Sequence, residues 1–422
     1  MHDLTLISTI AAAFTAAWVL GLLTQWLKLS PIVGYLLAGI LIGPHTPGFV
    51  GDVTLAQQLA EVGVILLMFG VGMHFHLKDL HAVRNIAIPG AIVQSIVATL
   101  AAMLLFAAFD MPYKTGAVLG MAMAVASTVV LMRVLMDAKV MHQPQGHVAV
   151  GWLIVEDIFT VVLLVIIPVI GINHDPDAAA TGNVWLTLAT AFLKLVILVA
   201  VVLWGGSRVV PWILVKVAKL RSRELFTLTV LVFSVSVASA SYFFFGASMA
   251  LGAFLAGMVV AQSPVSHQAA ADALPMRDTF AVLFFVSVGM LFDPRFLLEH
   301  PLMVVAALTV VLLIKPLAAL LIVGVLGHSV RTGLTVAIGL AQIGEFSFIL
   351  SELARRFGLM TDSGHNVLVA AAIISITLNP ILFRHIDGLE SWLKSKPLLW
   401  RWLNGRAEKK MALRQEAHLL AN

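Results

Sequence analysis

The sequence predicts an all-α polytopic membrane protein of about thirteen transmembrane helices. They form two inverted six-helix repeats joined by a linking helix, and two of them are discontinuous and cross. Three observations predict it. Of 422 residues, 60% are apolar and only 11% charged, against about a quarter charged in an ordinary soluble protein. Charge-poor runs of roughly 20 residues, the length that crosses a hydrocarbon core, recur along the chain. Two short apolar words also return at a single offset of about 217 residues.

Composition also excludes several classes. The chain has no cysteine, which removes disulfides, thiol catalysis and Cys-ligated metal. The formal net charge of +4 comes from Lys and Arg clustered in short loops and the tail, without an aromatic stripe, so no nucleic-acid partner is expected. The opening "MHDLTLISTIAAAFTAAWVLGLLTQWLK" lacks the basic n-region and cleavage site of a signal peptide and is expected to be a retained first helix.

In chain order, hydropathy and loop residues place spans at approximately 4–27, 31–44, 55–73, 85–109, 115–137, 148–170 and 183–204. The second half holds spans at approximately 223–245, 248–262, 276–292, 301–326, 331–357 and 364–386. Residues 1–387 form the membrane domain, with repeats at about 1–170 and 223–386, a linking helix at 183–204, and a basic amphipathic cytoplasmic tail at 388–422. With the N-terminus outside, cytoplasmic loops and tail hold roughly 20 of the 26 Lys and Arg residues, as the positive-inside rule requires. "KVAKLRSRE" (216–224) and the tail dominate that bias.

The repeat rests on two word pairs. "YLLAGILIG" (35–43) is similar to "AFLAGMVVA" (253–261), and "VILLMFGVGMHF" (64–75) to "AVLFFVSVGMLF" (281–292). The offset spans seven helices, an odd number, so the second copy is inverted relative to the first. Adding it to Ser127 in "AVASTVV" (124–130) reaches Gly344 in "LAQIGEFSF" (340–348). Ser127 with Thr128, and Gln342 with Gly344 and Glu345, are therefore expected at two helix breaks. Such breaks are tolerated only beside a polar cavity or inside protein.

Ionisable residues within spans are Glu61, Glu156, Asp157, Lys194, Lys315 and Glu345. A charge at mid-membrane costs about 2.5–3.5 kcal/mol even on lenient insertion scales. In "GWLIVEDIFTVVLLVIIPVI" (151–170), Glu156 and Asp157 lie near the midplane, about 100° apart around the helix axis, with Thr160 within reach of either as a further ligand. A carboxylate there needs a proton, a cation or a counter-charge. A site that holds either of the first two, and is costly when empty, has the chemistry of exchange. Asp157 and Glu156 are the candidate cation/proton-binding residues; Lys315, in "VLLIKPLAAL", also falls near the midplane and is expected to neutralise Glu156, leaving Asp157 for the cation. Glu61 is expected at an entrance or in a structural pair, and Lys194 as a snorkelling residue. His74, His76, His81, His142, His147 and His267 are expected as solvated residues in or near loops, since no HExxH zinc motif occurs.

The stretches "LSPIVGYLLAGILIGP" (29–44), "LAEVGVILLMFGVGMHFHLKDL" (59–80), "ASTVVL" (126–131), "GWLIVEDIF" (151–159), "LGAFLAGMVVAQSPVSH" (251–267), "AVLFFVSVGMLFD" (281–293) and "LAQIGEFSFIL" (340–350) resemble the Kef-type monovalent cation:proton antiporters, and among them the YbaL-like members. The resemblance runs to about residue 386. It implies an inverted-repeat antiporter in the bacterial inner membrane, homodimeric, whose core of spans four to six and eleven to thirteen moves against a dimerisation domain. It implies Asp157 as the cation/proton carboxylate, Lys315 as partner of Glu156, and Ser127, Thr128 and Gln342 to Glu345 at the breaks. K⁺ is favoured over Na⁺ as the ion exchanged for H⁺, and no resident cofactor or metal is expected.

Two departures stand out. Glutathione-gated potassium-efflux members carry Gln-Asp where this chain has Glu156-Asp157. Members also carry a regulatory nucleotide-binding domain after the last helix, whereas residues 388–422 contain no GxGxxG and are expected to form an interfacial helix bearing Trp392, Trp400 and Trp402. The alternative function is a cation channel or ligand-gated leak, which needs the same charged cavity without strict coupling. An intramembrane enzyme is disfavoured, because no organised nucleophile and base are present.

Overall fold

The computed structural model describes residues 5–74, 83–141, 143–172 and 184–408, and among them every regular element is helical. The chain opens with α1 (Thr5–Trp26), α2 (Pro31–Ile42) and α3 (Val53–His74). Then come α4 (Arg84–Ala107), a divided pass made of α5 (Tyr113–Ala124) and α6 (Thr128–Asp137), and the long α7 (Pro144–Ile172). The linking segment is α8 (Val184–Ala200), a π-helical turn at Val201–Gly206, and α9 (Ser207–Lys219). It leads to α10 (Arg223–Phe245), α11 (Met249–Ala261) and α12 (Ser266–Met290). Next are α13 (Pro301–Thr309), a π-helical turn at Val310–Ile314, and α14 (Lys315–Val325). A second divided pass, α15 (Val330–Gly339) and α16 (Glu345–Arg356), precedes α17 (Asp362–Arg384) and α18 (Ile386–Lys394). Among the described residues ten helices are long and apolar enough to cross a membrane, and α2 and α11 are shorter apolar helices at matching places in the two repeats.

Helix starts follow local chemistry. Ser30, Ser222, Ser248, Ser329 and Thr361 each accept a hydrogen bond from an amide of the following turn, typically worth about 1 kcal/mol per cap. Pro31 then occupies the first turn of α2, where its missing N–H costs nothing.

The chain divides into two compact units. The first comprises Met1–His76, Val161–Pro294 and Glu352–Leu359. Within it α2 crosses α12, and α11 crosses α3, at glycines. A Cβ on Gly39 would overlap the Val286 carbonyl oxygen, and one on Gly289 would overlap that of Leu36. A Cβ on Gly72 would overlap the Phe254 carbonyl oxygen, and one on Gly257 that of Phe69. Gly39 corresponds to Gly257 in the repeat, and Gly72 to Gly289. One crossing thus occurs twice with the partners exchanged, as the repeat requires. Only small residues let backbones approach so closely.

The second unit comprises Leu77–Thr160, Arg295–Ser351 and Met360–Asn422. Its apolar core gathers Trp152, Leu131, Leu334 and Phe383. The described part of the tail docks on this unit. Leu393 and Leu403 are buried, Asn404 Oδ1 accepts from the Val330 amide at 3.3 Å, and Arg406 donates to the Val325 carbonyl at 2.6 Å. Arg331 pairs with Asp387 and Glu390. Trp400 packs on the core while Trp392 and Trp402 stay exposed, so one face of the expected interfacial helix is docked. Residues 409–422 lie outside the described residues.

The linking helix differs from its expected 183–204. It is described from Val184 and continues to Lys219. Hydropathy loses it where charge begins at Arg208, but Val210 and Leu214 keep i,i+4 spacing and stay buried. Among the histidines, the His74 side chain and all of His76, His81 and His142 lie outside the described residues; His147 and His267 are exposed. Glu61 pairs with Arg356 at 2.5 Å, and Lys194 is exposed.

Gly289→Ala and Gly257→Ala should each lower stability by about 1–3 kcal/mol, because the colliding atom is backbone and cannot turn aside. A Cβ added to Gly388 in α18 would meet nothing within 4 Å, so Gly388→Ala should instead add up to about 1 kcal/mol. Thermal unfolding of the detergent-purified variants compares the signs.

Candidate functional site

The site is built where the two divided passes cross inside the second unit. α5 stops at Ala124 and α6 starts at Thr128; Val125 and Ser127 are extended, and Ser127 Oγ accepts from the Val130 amide at 3.3 Å. α15 stops at Gly339 and α16 starts at Glu345. The interrupted backbones bond each other. The Gly344 amide donates to the Val125 carbonyl at 3.0 Å. Gln342 acts as a detached peptide group: its Oε1 accepts from the Ser127 amide at 2.9 Å and its Nε2 donates to the Ser127 carbonyl at 3.1 Å. Ser347 Oγ donates to the Ala122 carbonyl at 2.5 Å, and the Ile343 amide donates to Ser375 Oγ at 3.3 Å. A Cβ on Gly344 would lie 2.5 Å from the Ala126 carbonyl oxygen, so glycine is required for the close approach.

The crossing brings two helix N-termini, of α6 and α16, and two C-termini, of α5 and α15, to one place. Their partial charges suit ions of either sign. α7 passes this point with Glu156 and Asp157 near the middle of its 29 residues.

The two carboxylates are treated differently. Glu156 is 0% exposed. Its Oε2 accepts from the Ala126 amide at 2.9 Å, inside the first break, and its Oε1 accepts from Gln94 Nε2 at 2.6 Å. Lys315 Nζ, also 0% exposed, lies 3.9 Å from Oε1 and makes no hydrogen bond, so this contact is electrostatic. Pro316 has no amide to give to the preceding turn, and the helix re-registers as a π-helical turn ending just before Lys315. Asp157 is half-buried. Its Oδ1 has no hydrogen-bond partner, and the charges of Glu345 and Glu156 both act on it. Glu345 itself is buried at the first turn of α16.

The structure therefore brings together Ser127, Thr128, Glu156, Asp157, Lys315, Gln342, Gly344 and Glu345 at one crossing. Thr160 donates its hydroxyl to the Glu156 main-chain carbonyl at 3.1 Å, an ordinary back-bond to the preceding turn. Counting only ionisable residues missed Gln94, Ser347, Ser375 and Asn379. Asn379 donates to the Ile338 carbonyl at 2.6 Å just before the second break. Each is a polar residue in an otherwise apolar run, a signal present in the sequence but shared with many helix-packing residues.

Two divided helices crossing beside a pair of intramembrane carboxylates define the fold class of an inverted-repeat membrane transporter. Comparison with known proteins gives the family. Residues 10–386 match the transmembrane sodium/hydrogen exchanger model, and the chain belongs to that family. It is 50% identical over 388 residues to the Escherichia coli (strain K12) protein named as cation/proton antiporter YbaL, covering 92% of this chain and 70% of that one. It is 31% identical over 392 residues to K(+) efflux antiporter 4 of Arabidopsis thaliana, covering 92% of this chain and 65% of the relative. The fold is similar to that of the sodium proton antiporter MjNhaP1 from Methanocaldococcus jannaschii, with a TM-score of 0.64 at 16% identity over 96% of this chain and all of the other. The chain is thus an integral membrane protein of the cation/proton antiporter class, a transporter.

Lys315→Met leaves Glu156 without its counter-charge and should cost about 3–5 kcal/mol of stability. Adding Glu156→Gln to that variant should restore much of the loss, since no lone buried charge then remains. Thermal unfolding of both variants checks the order.

Proposed function

We propose that the protein exchanges a monovalent cation, K⁺ in preference to Na⁺, for H⁺ across the bacterial inner membrane, with Asp157 as the group that holds either ion. The observation that carries this reading is the asymmetry of the carboxylate pair. Every identified partner of Glu156 is a donor or a cation, and the side chain is sealed. Asp157 is only half-buried as a residue, and its buried Oδ1 has no hydrogen-bond partner. An oxygen in that position can take a proton or complete a cation's shell, whose remaining ligands are main-chain oxygens and polar side chains at the crossing. Glu345 adds negative charge beside it.

Glu156 acts through Lys315, Gln94 and the Ala126 amide as a positioning residue, holding the first break in register. The preference for K⁺ is supported by the K(+) efflux antiporters among the relatives, while the structural neighbour is named as a sodium proton antiporter. The N-terminus lies outside and the tail in the cytoplasm, by the distribution of Lys and Arg. The working unit is a homodimer, supported by family resemblance.

In sealed, oriented proteoliposomes carrying a pH gradient, adding K⁺ should release protons, with Rb⁺ and Na⁺ compared in parallel. Absence of cation-dependent proton flux for all three would sink the reading. Asp157→Asn should abolish cation-dependent proton flux, because the group that holds the transported ion is lost. Full activity in that variant would remove Asp157 from its role.

A further inference from the structure

The linking segment carries a feature that exchange does not use. Residues 184–223 contain six Lys or Arg residues (Lys194, Arg208, Lys216, Lys219, Arg221 and Arg223) and no Asp or Glu. In the π-helical turn and α9, aromatic and cationic residues alternate every four positions: Trp204, Arg208, Trp212, Lys216. Arg208 stacks over the Trp204 ring at 4.4 Å, and Lys216 over the Trp212 ring at 4.0 Å. Trp204 is 71% exposed and Trp212 58%, and both cations are exposed. Val210 and Leu214, two positions out of step and so about 200° around the helix, are the buried residues of α9. This helix therefore seats one face on α10 and α11 and presents a cation–aromatic ladder on the other.

Among the described residues, most of the charge at this end of the segment has no ion-pair partner, although Glu224 follows Arg223 directly in sequence. Arg223 reaches Asp272 at 3.1 Å, but among the described residues no carboxylate lies within ion-pair distance of Arg208, Lys216, Lys219 or Arg221. Arg221 holds a left-handed turn with φ 56°, a conformation glycine takes more easily, so a cation is kept where backbone preference does not favour it. Ser222 then caps α10, which leaves Lys219 and Arg221 in a tight turn directly after the ladder.

We infer that the Trp204–Arg221 face is a docking surface for anionic phospholipid headgroups, with its cations against the phosphates. Exposed Trp belongs at the membrane–water boundary, and a Lys/Arg cluster on an amphipathic helix next to a membrane span recruits anionic lipid. With no described carboxylate within ion-pair distance of Arg208, Lys216, Lys219 or Arg221, the face suits an anionic headgroup better than a zwitterionic one. The inference rests on the membrane reading of the chain and does not depend on which ion is exchanged.

The test titrates the detergent-purified full chain with short-chain phosphatidylglycerol, short-chain phosphatidylcholine or soluble glycerol phosphate, and follows Tm. Phosphatidylglycerol should raise Tm at roughly tenfold lower concentration than phosphatidylcholine, and added salt should erase the difference. Arg208→Gln combined with Lys216→Gln should remove most of this preference, while Arg208→Lys combined with Arg221→Lys should keep it. Equal effects of the two lipids on the unaltered protein would overturn the inference, whatever the variants do. So would an equal shift from glycerol phosphate, which would make this a site for a free phosphate. A preference undiminished in the glutamine variant would also overturn it.

Discussion

The structure depends on one constraint: a backbone amide or carbonyl at membrane depth must find its partner within the protein. An unbroken helix meets this by itself. Two helices broken at the same depth do so here by bonding each other and side chains of α7 and α17. Gly344 gives its amide to Val125, Gln342 pairs both ways with the Ser127 peptide group, and Ser347 closes the Ala122 carbonyl. Every residue around the crossing is placed by that accounting. Gly344 is small because Ala126 is in the way, and Glu156 faces a break whose Ala126 amide has left its helix.

The same accounting separates the two carboxylates. A break offers donors as well as acceptors, and α7 carries one acid to each purpose. Glu156 is consumed by the donors of the scaffold. Asp157, rotated by about 100° on the same helix, misses those donors and keeps an oxygen available. Adjacent residues on one helix can therefore place two carboxylates in different surroundings without sharing partners. A strand would have sent them to opposite faces, and a spacing of four would have sent both to the same donors.

Much of this was legible in the sequence because membrane depth makes polar residues conspicuous. Ser127, Gln342 and Glu345 interrupt apolar runs, and the repeat offset alone ties them into a crossing. The Gly39–Gly289 and Gly72–Gly257 contacts were present as the matched words "LAG" and "VGM". What could not be read was which polar residue bonds which. Gln94 sits in "IVQSIV" with nothing to mark it as the partner of Glu156, 62 positions away. The full length of the linking helix was also hidden. Hydropathy stops at charge, whereas the helix follows the buried Val210 and Leu214. The docked tail was masked for a similar reason: its Trp and basic residues suggested the membrane surface, and Leu393 and Leu403 gave no sign of their burial site.

The glutamate at 156 is where the sequence departs from the Gln-Asp expected from its resemblance to glutathione-gated potassium-efflux members, and the geometry gives the difference a physical meaning. Two oxygens there meet two donors, the Ala126 amide and Gln94 Nε2, and the nearby charge of the Lys315 ammonium. A glutamine offers a single acceptor oxygen. If that oxygen kept the Ala126 amide, its own NH₂ would face Gln94 and Lys315, donor against donor. Gln94 could answer by turning over, since its Oε1 has no partner, but Lys315 would still be a buried cation without a counter-charge. The carboxylate, Gln94 and Lys315 therefore form one unit in this chain, and changing position 156 alone strands the lysine. Asp157 is then set beside a carboxylate that Gln94, the Ala126 amide and Lys315 already hold, and it shares none of those three partners.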